Sequence, residues 1–314
     1  MADGGVTAIG EAALSPPRRA ARRSGDGVLL GYAMLAPAAV VVGVLILLPL
    51  AYSVVLSLYD WKLLEMNRPK HWAGLGNYWR MIFDDGLHNA FVNTVFFMVG
   101  SVSIELVLGF IVALAVFHMT AGRRLANAII LLPMVVTPVI TALLWRYMLD
   151  PQFGIVAQVM TALGSHGGID VWGSSTLALP GLMLVDIWQW TPFAILVLHA
   201  GMLSISEEQF EAAAVDGAGQ LRVALSIILP AIVPQVLLVL LFRSMDTYRI
   251  FDTVFVLTRG GPGISSDTLG LFTFRNGFSY LEMGYAMALS VFLLVTVGLI
   301  SSVYIRLLRG RGIL

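Results

Sequence analysis

The sequence predicts an all-α integral membrane protein with six transmembrane helices and with both termini in the cytoplasm. Three observations support this prediction. Of the 314 residues, 58% are hydrophobic and only 12% are charged, whereas a soluble domain carries about 25% charged residues. Six apolar stretches are each long enough to cross the bilayer as a helix, which takes about 20 residues. Lysine and arginine are concentrated in the segments that this topology places in the cytoplasm.

The composition also excludes several classes of protein. The 19 basic and 19 acidic residues give a net charge of zero, which argues against a strongly basic nucleic-acid-binding protein. The absence of cysteine excludes disulfide scaffolds and cysteine-ligated metal sites. The five histidines are scattered and none begins a His-Glu-x-x-His zinc motif. We therefore expect neither a metal site nor a cofactor on this chain.

The six predicted spans can be placed from the apolar stretches alone. They are residues 28–58, 90–117, 125–149, 176–203, 230–258 and 284–308. Several spans contain proline, which removes a helical hydrogen bond and clashes with the preceding turn. We therefore expect kinks or breaks in these helices, as at Pro133, Pro138, Pro192 and Pro234.

The distribution of basic residues fixes the predicted orientation. Residues 1–27 are polar and are predicted to be a disordered cytoplasmic tail, followed by a membrane domain over residues 28–308 and a second cytoplasmic tail over residues 309–314. Short cytoplasmic loops carry an excess of lysine and arginine. The basic residues placed inside are Arg18, Arg19, Arg22, Arg23, Arg123, Arg124, Arg222, Arg306, Arg309 and Arg311. Those placed outside are Lys62, Arg68, Lys70, Arg80, Arg259 and Arg275.

The loop at residues 204–229 is the most unusual polar segment. Its sequence predicts two short helices, the first capped by Ser206 with Gln209 completing a capping box. Gly217 is the residue type that ends a helix in a left-handed conformation. Three consecutive alanines leave one helix surface almost bare, which suits a helix in a groove of another protein. The alternative is an amphipathic connector on the membrane surface, because alanine is also the best helix former.

Charged residues inside the predicted fifth span form a second unusual feature. Ionisable groups within a membrane span are costly and usually functional. Arg243, Asp246, Arg249 and Asp252 follow one another at intervals of three residues, so neighbours lie within reach along one helical face. They are predicted either to contact a solute or to form the structural ion pairs Arg243/Asp246 and Arg249/Asp252. Glu105 in the second span is interpreted as a buried packing or hinge group.

The loop also carries a recognisable motif. Glu211-Ala212-Ala213 is followed by Asp216-Gly217-Ala218 and, further on, by Leu229-Pro230. This pattern resembles the EAA loop of permease subunits in binding-protein-dependent ABC importers. Residues 75–78 (LGNY), 251–258 (FDTVFVLT) and 260–263 (GGPG) resemble the carbohydrate-importing branch, of the maltose, glycerol-phosphate and trehalose type. The resemblance covers roughly residues 30–308 and implies the type I ABC importer permease fold in a bacterial plasma (inner) membrane.

The resemblance implies a mechanism of coupling to an ATPase. In that family the loop forms a coupling helix that docks on the ATPase subunit, which assigns this role to Glu211, Ala212, Ala213, Asp216 and Gly217. The chain has no P-loop of its own, because neither Lys62 nor Lys70 follows glycine. We therefore expect no catalytic residues here, with ATP and Mg on a partner. The implied partners are a second permease forming a heterodimer, two ATPase subunits, an extracytoplasmic sugar-binding protein and the lipid bilayer.

The resemblance also implies a sugar or sugar derivative as the translocated solute. Sugars are bound by hydrogen bonds to hydroxyl groups and by stacking on aromatic rings. Residues that offer these contacts are predicted to line the substrate pathway: Gln189, Trp190, Asp246, Tyr248, Arg249 and Asp252. An arginine here does not separate anionic from neutral solutes, because it can be paired with aspartate. The rival hypothesis is an ion-coupled secondary transporter that uses the fifth-span aspartates. A membrane-embedded hydrolase is disfavoured, because the chain has no Gly-x-Ser-x-Gly motif.

Overall fold

The structure is a computed structural model that describes residues 24–65, 70–164 and 168–310. Side chains of residues 24–30 are not included in that description. The arginines predicted for the N-terminal tail (Arg18, Arg19, Arg22 and Arg23), together with Arg68 and Arg311, lie outside the described residues. Residues 24–27, which the sequence assigned to the N-terminal tail, form the start of the first helix. Arg309 likewise belongs to the last helix, which ends at Gly310.

The chain divides into two compact units at the boundary between Tyr52 and Ser53. The described part of the first unit is helical: α1 (Ser24–Val42), a π-helical turn (Gly43–Leu47) and the start of α2 (Leu48–Leu56). From Gly31 to Leu56 the helix is long and apolar enough to cross a membrane. Its large apolar side chains are exposed, for example Leu35 and Ile46. Exposed apolar side chains on such a helix are those expected to face lipid.

The described residues of the second unit are mainly helical and include one short antiparallel pair of strands, β1 (Tyr59–Asp60) and β2 (His71–Trp72). The helices that precede the coupling loop are α3 (Gly76–Ile82), α4 (Asp85–Phe117), α5 (Arg123–Val135), α6 (Pro138–Met148), α7 (Ile155–Ala162) and α8 (Ala178–Met202). Those that follow are α9 (Glu207–Val215), α10 (Gln220–Val223), α11 (Leu229–Ala231), α12 (Val233–Tyr248), α13 (Asp252–Leu257), α14 (Leu269–Phe274) and α15 (Met283–Gly310). Two π-helical turns (Ala224–Ile228 and Arg275–Ser279) interrupt this order.

Four helices in the described residues are long and apolar enough to span a membrane, or six spans if each of two bent helix pairs counts as one. The single helices are Gly31–Leu56, α4, α8 and α15. α4 packs along both α8 and α12, and α12 also packs on α15. These contacts place α4, α8 and α12 around one shared interior.

The third predicted span is broken, as its prolines suggested. α5 and α6 meet at an angle of 94°. Thr137 is extended, with φ −66° and ψ 146°, because the ring of a following proline disfavours helical geometry. The break releases the carbonyl of Val136, and the side-chain amide of Gln189 donates a hydrogen bond to it at 2.8 Å. A buried polar group without such a partner would cost about 1–3 kcal/mol.

The fifth predicted span is also broken close to Pro234, as its prolines suggested, but its predicted end at residue 258 was wrong. The segment Gln220–Ala231 meets α12 at an angle of 67°, and α12 ends at Tyr248 rather than at Thr258. Asp252 begins the separate helix α13, which packs against α6 and α8. A helical interval of three residues therefore does not relate Arg249 to Asp252.

Candidate functional site

A buried cluster of charged side chains joins the three helices around the shared interior. Arg243 of α12 donates from Nε and Nη2 to both carboxylate oxygens of Glu105 on α4, at 2.7 and 2.8 Å. Its Nη2 also donates to Asp186 Oδ2 on α8 at 2.7 Å, and its Nη1 donates to Asp246 Oδ2 at 2.8 Å. Only 2% of Arg243, 0% of Glu105 and 5% of Asp186 is exposed. A planar guanidinium can bind several carboxylates in this way because its donors form a fixed fork.

The cluster contains more acidic than basic groups. Glu105, Asp186 and Asp246 surround Arg243, and the second arginine nearby, Arg249, lies 3.5 Å from Asp246 Oδ1 and is 69% exposed. The sequence predicted the Arg243/Asp246 pair but not its two additional carboxylates. Glu105 and Asp186 are far apart in the sequence and lie on other helices, so no local spacing connects them to Arg243. The sequence signal that could have indicated the cluster is that three different predicted spans each contain a charged residue.

A cavity of about 270 Å³ lies beside this cluster. Its lining comes from the broken third span, from α8 and from the end of α12 with the segment that follows: Pro138, Asp186, Trp190, Asp246, Thr247, Arg249, Ile250, Phe251, Asp252 and Thr253. The structure therefore brings together four of the predicted pathway residues, Trp190, Asp246, Arg249 and Asp252. The guanidinium carbon of Arg243 lies 5.0 Å from the centre of the Trp190 ring.

The other two predicted pathway residues, Gln189 and Tyr248, do not line this cavity. Gln189 is 1% exposed and its amide is used at the break between α5 and α6. Tyr248 is 2% exposed and packs in an apolar cluster with Leu269 and Phe272. Adjacent residues of a helix face different neighbours, so Gln189 and Tyr248 contact other parts of the protein than Trp190 and Arg249 do. The sequence alone did not show which face of each helix borders the cavity.

The predicted Arg249/Asp252 ion pair is also absent. The partner of Arg249 is Asp246 instead, because Asp252 lies beyond the end of α12 at the start of a separate helix. Among the described residues, Asp252 forms no ion pair. Its carboxylate is exposed on the cavity wall.

An aromatic group extends from the cavity wall. Phe251 lines the cavity, and its ring centre lies 4.9 Å from that of Phe274 and 5.3 Å from that of Phe255. Phe274 in turn stacks on Phe278 at 4.9 Å. Together with Trp190, Phe251 gives the cavity apolar ring surfaces next to its carboxylates.

The predicted coupling loop forms a short helix, α9, that ends in a left-handed residue as expected. Gly217 has φ +69°. The amide of Gly217 donates to the carbonyl of Ala214 at 3.1 Å, and the amide of Ala218 donates to that of Ala213 at 2.9 Å, which is the Schellman pattern. The predicted capping box is absent, because Ser206 makes no side-chain cap hydrogen bond. The amide of Gln209 donates instead to the backbone carbonyl of Ser206 at 3.2 Å.

One aromatic side chain connects α9 to the long helices. The ring of Phe210 lies 5.7 Å from that of Phe117 at the end of α4. Phe210 packs on an apolar cluster built from α4, α8 and the segment before α12, which includes Leu198, Met202 and Ile228. Through Phe210, α9 therefore contacts residues of α4, of α8 and of the segment before α12.

The other side of the coupling loop carries a groove of about 590 Å³. It is lined by Gln209, Ala212, Ala213, Asp216, Ala218, Arg222, Val223, Ser226 and Ile227. Of the predicted coupling residues, Ala213 is buried at 6% exposure, whereas Glu211, Ala212, Asp216 and Gly217 are exposed. Exposed polar and small residues around a groove offer a surface on which a second protein can pack closely.

The segment that carries the Gly260-Gly261-Pro262-Gly263 sequence is ordered by side-chain hydrogen bonds. Ser266 Oγ donates to the carbonyl of Gly261 at 2.6 Å, and Asn93 Nδ2 of α4 donates to the carbonyl of Asp267 at 3.0 Å. Asp267 is 1% exposed and pairs with Arg275 at 2.9 Å. Burial raises the pKa of the Asp267 carboxyl to about 6, and the ion pair opposes that rise.

Comparison with known proteins identifies relatives over most of the chain. Residues 105–311 match the family described as the binding-protein-dependent transport system inner membrane component. The trehalose/maltose transport system permease protein MalF of Thermococcus litoralis is 33% identical over 90% of this chain and 94% of that protein. The sulfoquinovosyl glycerol transport system permease protein SmoG of Agrobacterium fabrum is 31% identical over 90% of this chain and 91% of that protein.

Solved structures show the same fold. A chain of a bacterial alginate ABC transporter, crystallised with an alginate pentasaccharide-bound periplasmic protein, superposes with a TM-score of 0.79. That comparison covers 92% of this chain and 96% of the other, at 21% sequence identity. The arrangement of helices described above is therefore that of an ABC importer permease.

Proposed function

The chain belongs to the family of binding-protein-dependent transport system inner membrane components, and on that premise we propose that it translocates a sugar or sugar derivative. It is a multi-pass subunit of an ABC importer in the inner membrane, and the ATPase is a separate partner. A substrate-binding protein is a further partner. Relatives named for trehalose, maltose and sulfoquinovosyl glycerol support the sugar assignment.

The observation that carries the coupling role is the packing of α9. A docked helix transmits movement only if it moves together with the helices that line the pathway. Phe210 packs against Phe117 and against the apolar cluster of α8 and the pre-α12 segment. Glu211, Ala212, Asp216 and Gly217 remain exposed for a partner. In the proposed mechanism, closure of the ATPase moves α9, and α4, α8 and α12 follow as one body.

In the same proposal the cavity of about 270 Å³ is the solute site of this subunit. Trp190 and Phe251 offer ring faces for stacking, and Asp252 offers carboxylate oxygens as hydrogen-bond acceptors. The ion cluster borders the cavity through Asp186 and Asp246 and connects α4, α8 and α12. Access alternates as the two halves of a transporter rock about a midplane site.

The finer assembly is also part of the proposal. The second half is a different permease subunit, so that the membrane part is a heterodimer, and two ATPase subunits bind ATP and Mg on the cytoplasmic side. This chain itself contributes binding and movement. Residues 204–229 supply the contact to one ATPase subunit, through Glu211, Ala212, Ala213, Asp216 and Gly217.

Uptake by the assembled importer in proteoliposomes tests this function. Radiolabelled solute, chosen by screening the binding protein against a sugar panel, should accumulate only with binding protein and enclosed ATP. An uncoupler should leave that uptake unchanged. Uptake that collapses with the uncoupler while ATP is maintained would support the ion-coupled alternative, which the relatives reported above do not support.

A further inference from the structure

We infer that the cavity beside the ion cluster accepts polyhydroxylated solutes that are neutral or positively charged and rejects those with a net negative charge. This inference rests on the proposed function and specifies the substrate class of the same site. The relatives include permeases of transport systems for the neutral sugars trehalose and maltose and, in UgpA of Yersinia pestis, which is 30% identical over 72% of this chain, for the anion sn-glycerol 3-phosphate. Membership of the family therefore does not decide the charge of the solute.

The first step is the state of the two arginines near the cavity. Four hydrogen bonds of 2.7–2.8 Å commit Arg243 to Glu105, Asp186 and Asp246. A guanidinium has five N–H donors, so a phosphate or carboxylate of a solute could engage at most one that is left. Arg249 makes one ion pair, with Asp246 at 3.5 Å, and is 69% exposed, so it is the one guanidinium in the lining that a solute anion could still engage, against three lining carboxylates.

The second step is the surplus of acidic groups. Asp186, Asp246 and Asp252 line the cavity, whereas Arg249 is the only basic residue in its lining. Asp186 and Asp246 are paired with Arg243, whereas Asp252 forms no ion pair among the described residues and adds to the wall a carboxylate that no cation offsets. A cleft whose lining carries more charge of one sign concentrates ions of the opposite sign and repels those of the same sign.

The third step is the chemistry of the remaining contacts. An ionised carboxylate only accepts hydrogen bonds, so Asp252 can bind sugar hydroxyls or an ammonium group as donors. A deprotonated phosphate has no proton to donate to it. The ring faces of Trp190 and Phe251 carry negative potential, which attracts C–H groups and cations. All three contacts favour the same class of solute.

The absence of cysteine from the chain allows a direct test that needs no knowledge of the solute. In the assembled importer, Thr253→Cys places a thiol on the cavity wall at a position that is 5% exposed. Its rates of reaction with a trimethylammonium methanethiosulfonate and with a sulfonate methanethiosulfonate are compared. The exposed Ser175→Cys on the α7–α8 connection supplies the reference ratio of the two reagents.

We expect the cation-to-anion rate ratio at position 253 to exceed the reference ratio about 10-fold or more. Adding Asp252→Asn should lower that excess about threefold or more, whereas the matched change Asp170→Asn in the α7–α8 connection should leave it unchanged. A ratio equal to the reference, or one that favours the anion, would overturn the inference. So would a thiol that reacts with neither reagent, because the cavity would then admit no solute.

The natural solute gives the second test. Once thermal-shift screening of the cognate binding protein has identified the solute and proteoliposomes show its uptake, its net charge at pH 7 should be zero or positive. A cognate phosphate, sulfonate or uronate would contradict the charge selectivity while the importer function stood. Failure of all ATP-driven uptake would instead contradict the proposed function, so the two failures are distinguishable.

Discussion

Arg243 is a buried charged side chain that is held by three carboxylates. It is among the largest fully buried side chains, and its ion pairs reach three helices. Removing one partner of a buried ion pair is costly because the other partner is left charged and without compensation. Gln189 likewise provides a partner for a polar group inside the protein. Its side-chain amide donates a hydrogen bond to the carbonyl of Val136, which the break before Pro138 leaves without a helical partner.

Replacing Arg243 with methionine is expected to destabilise the protein by about 3–5 kcal/mol, because Glu105 and Asp186 lose their counter-charge in the interior. Arg249→Met is the matched control, since Arg249 is 69% exposed and exposed pairs contribute about 0–1 kcal/mol. Unfolding by SDS titration in mixed micelles, followed by tryptophan fluorescence, measures both. Equal losses in the two variants would contradict the assigned importance of the buried cluster.

Gly217→Val is expected to lower both solute uptake and stimulated ATP hydrolysis about tenfold, which corresponds to about 1.4 kcal/mol. The cause is backbone strain, because Gly217 has φ +69°. A steric clash is not the cause, because no other atom lies within 4 Å of the position that a Cβ atom would occupy. A β-branched residue disfavours the left-handed conformation, whereas asparagine tolerates it. Gly217→Asn should therefore retain most of the activity. Wild-type rates in the valine variant would contradict the coupling role.

At the scale of elements, α9 matters through what it packs against. Its own sequence is dominated by helix formers and makes it a short surface helix. Phe210 connects it to the end of α4 and to the apolar cluster of Leu198, Met202 and Ile228. The breaks in the third and fifth predicted spans produce two short helices, α6 and α13. These two helices pack against each other beside the cavity.

Phe210→Ala is expected to reduce the amount of solute imported per ATP hydrolysed. Without the Phe210 ring, a movement of α9 would displace α4 less. Aromatic pairs contribute about 0.5–1.5 kcal/mol beyond their buried area. In a double-mutant cycle with Phe117→Ala, the effects of the two changes on the free energy of unfolding should be non-additive by about 0.5–1.5 kcal/mol. The control is Phe91→Ala, which removes a different aromatic pair, with Phe292. Strict additivity, or the same uncoupling in the control, would show that Phe210 does not connect the two helices.

At the scale of the whole molecule, the second unit is held together at several levels. The ion cluster joins α4, α8 and α12. At the start of α15, Glu282 pairs with Arg80 at 2.6 Å and with Lys62 at 3.3 Å. The cluster around Phe210 joins the same long helices close to the coupling loop. The ion cluster and the apolar cluster around Phe210 therefore both connect α4, α8 and α12, at two different places along these helices.

The predicted topology places Ser175 outside the cell and Gln220 in the cytoplasm, and both are exposed. Because the chain lacks cysteine, single-cysteine variants give no background. A membrane-impermeant maleimide applied to intact cells with a permeable outer envelope should label Ser175→Cys and not Gln220→Cys. After membrane disruption both should react. Labelling of position 220 in intact cells would reverse the orientation derived from the basic residues.

The sequence by itself determined the membrane class, the positions of the apolar stretches and the coupling motif. These features depend on local composition and spacing: length sets a span, and Gly217 sets a helix end. The tertiary structure alone decided how the charges are used. Arg243 is paired with Glu105 and Asp186 on two other helices, and Asp252 is separated from Arg249 by a helix end. No periodicity along one helix encodes contacts between helices, because those depend on how each helix is rotated and broken against its neighbours.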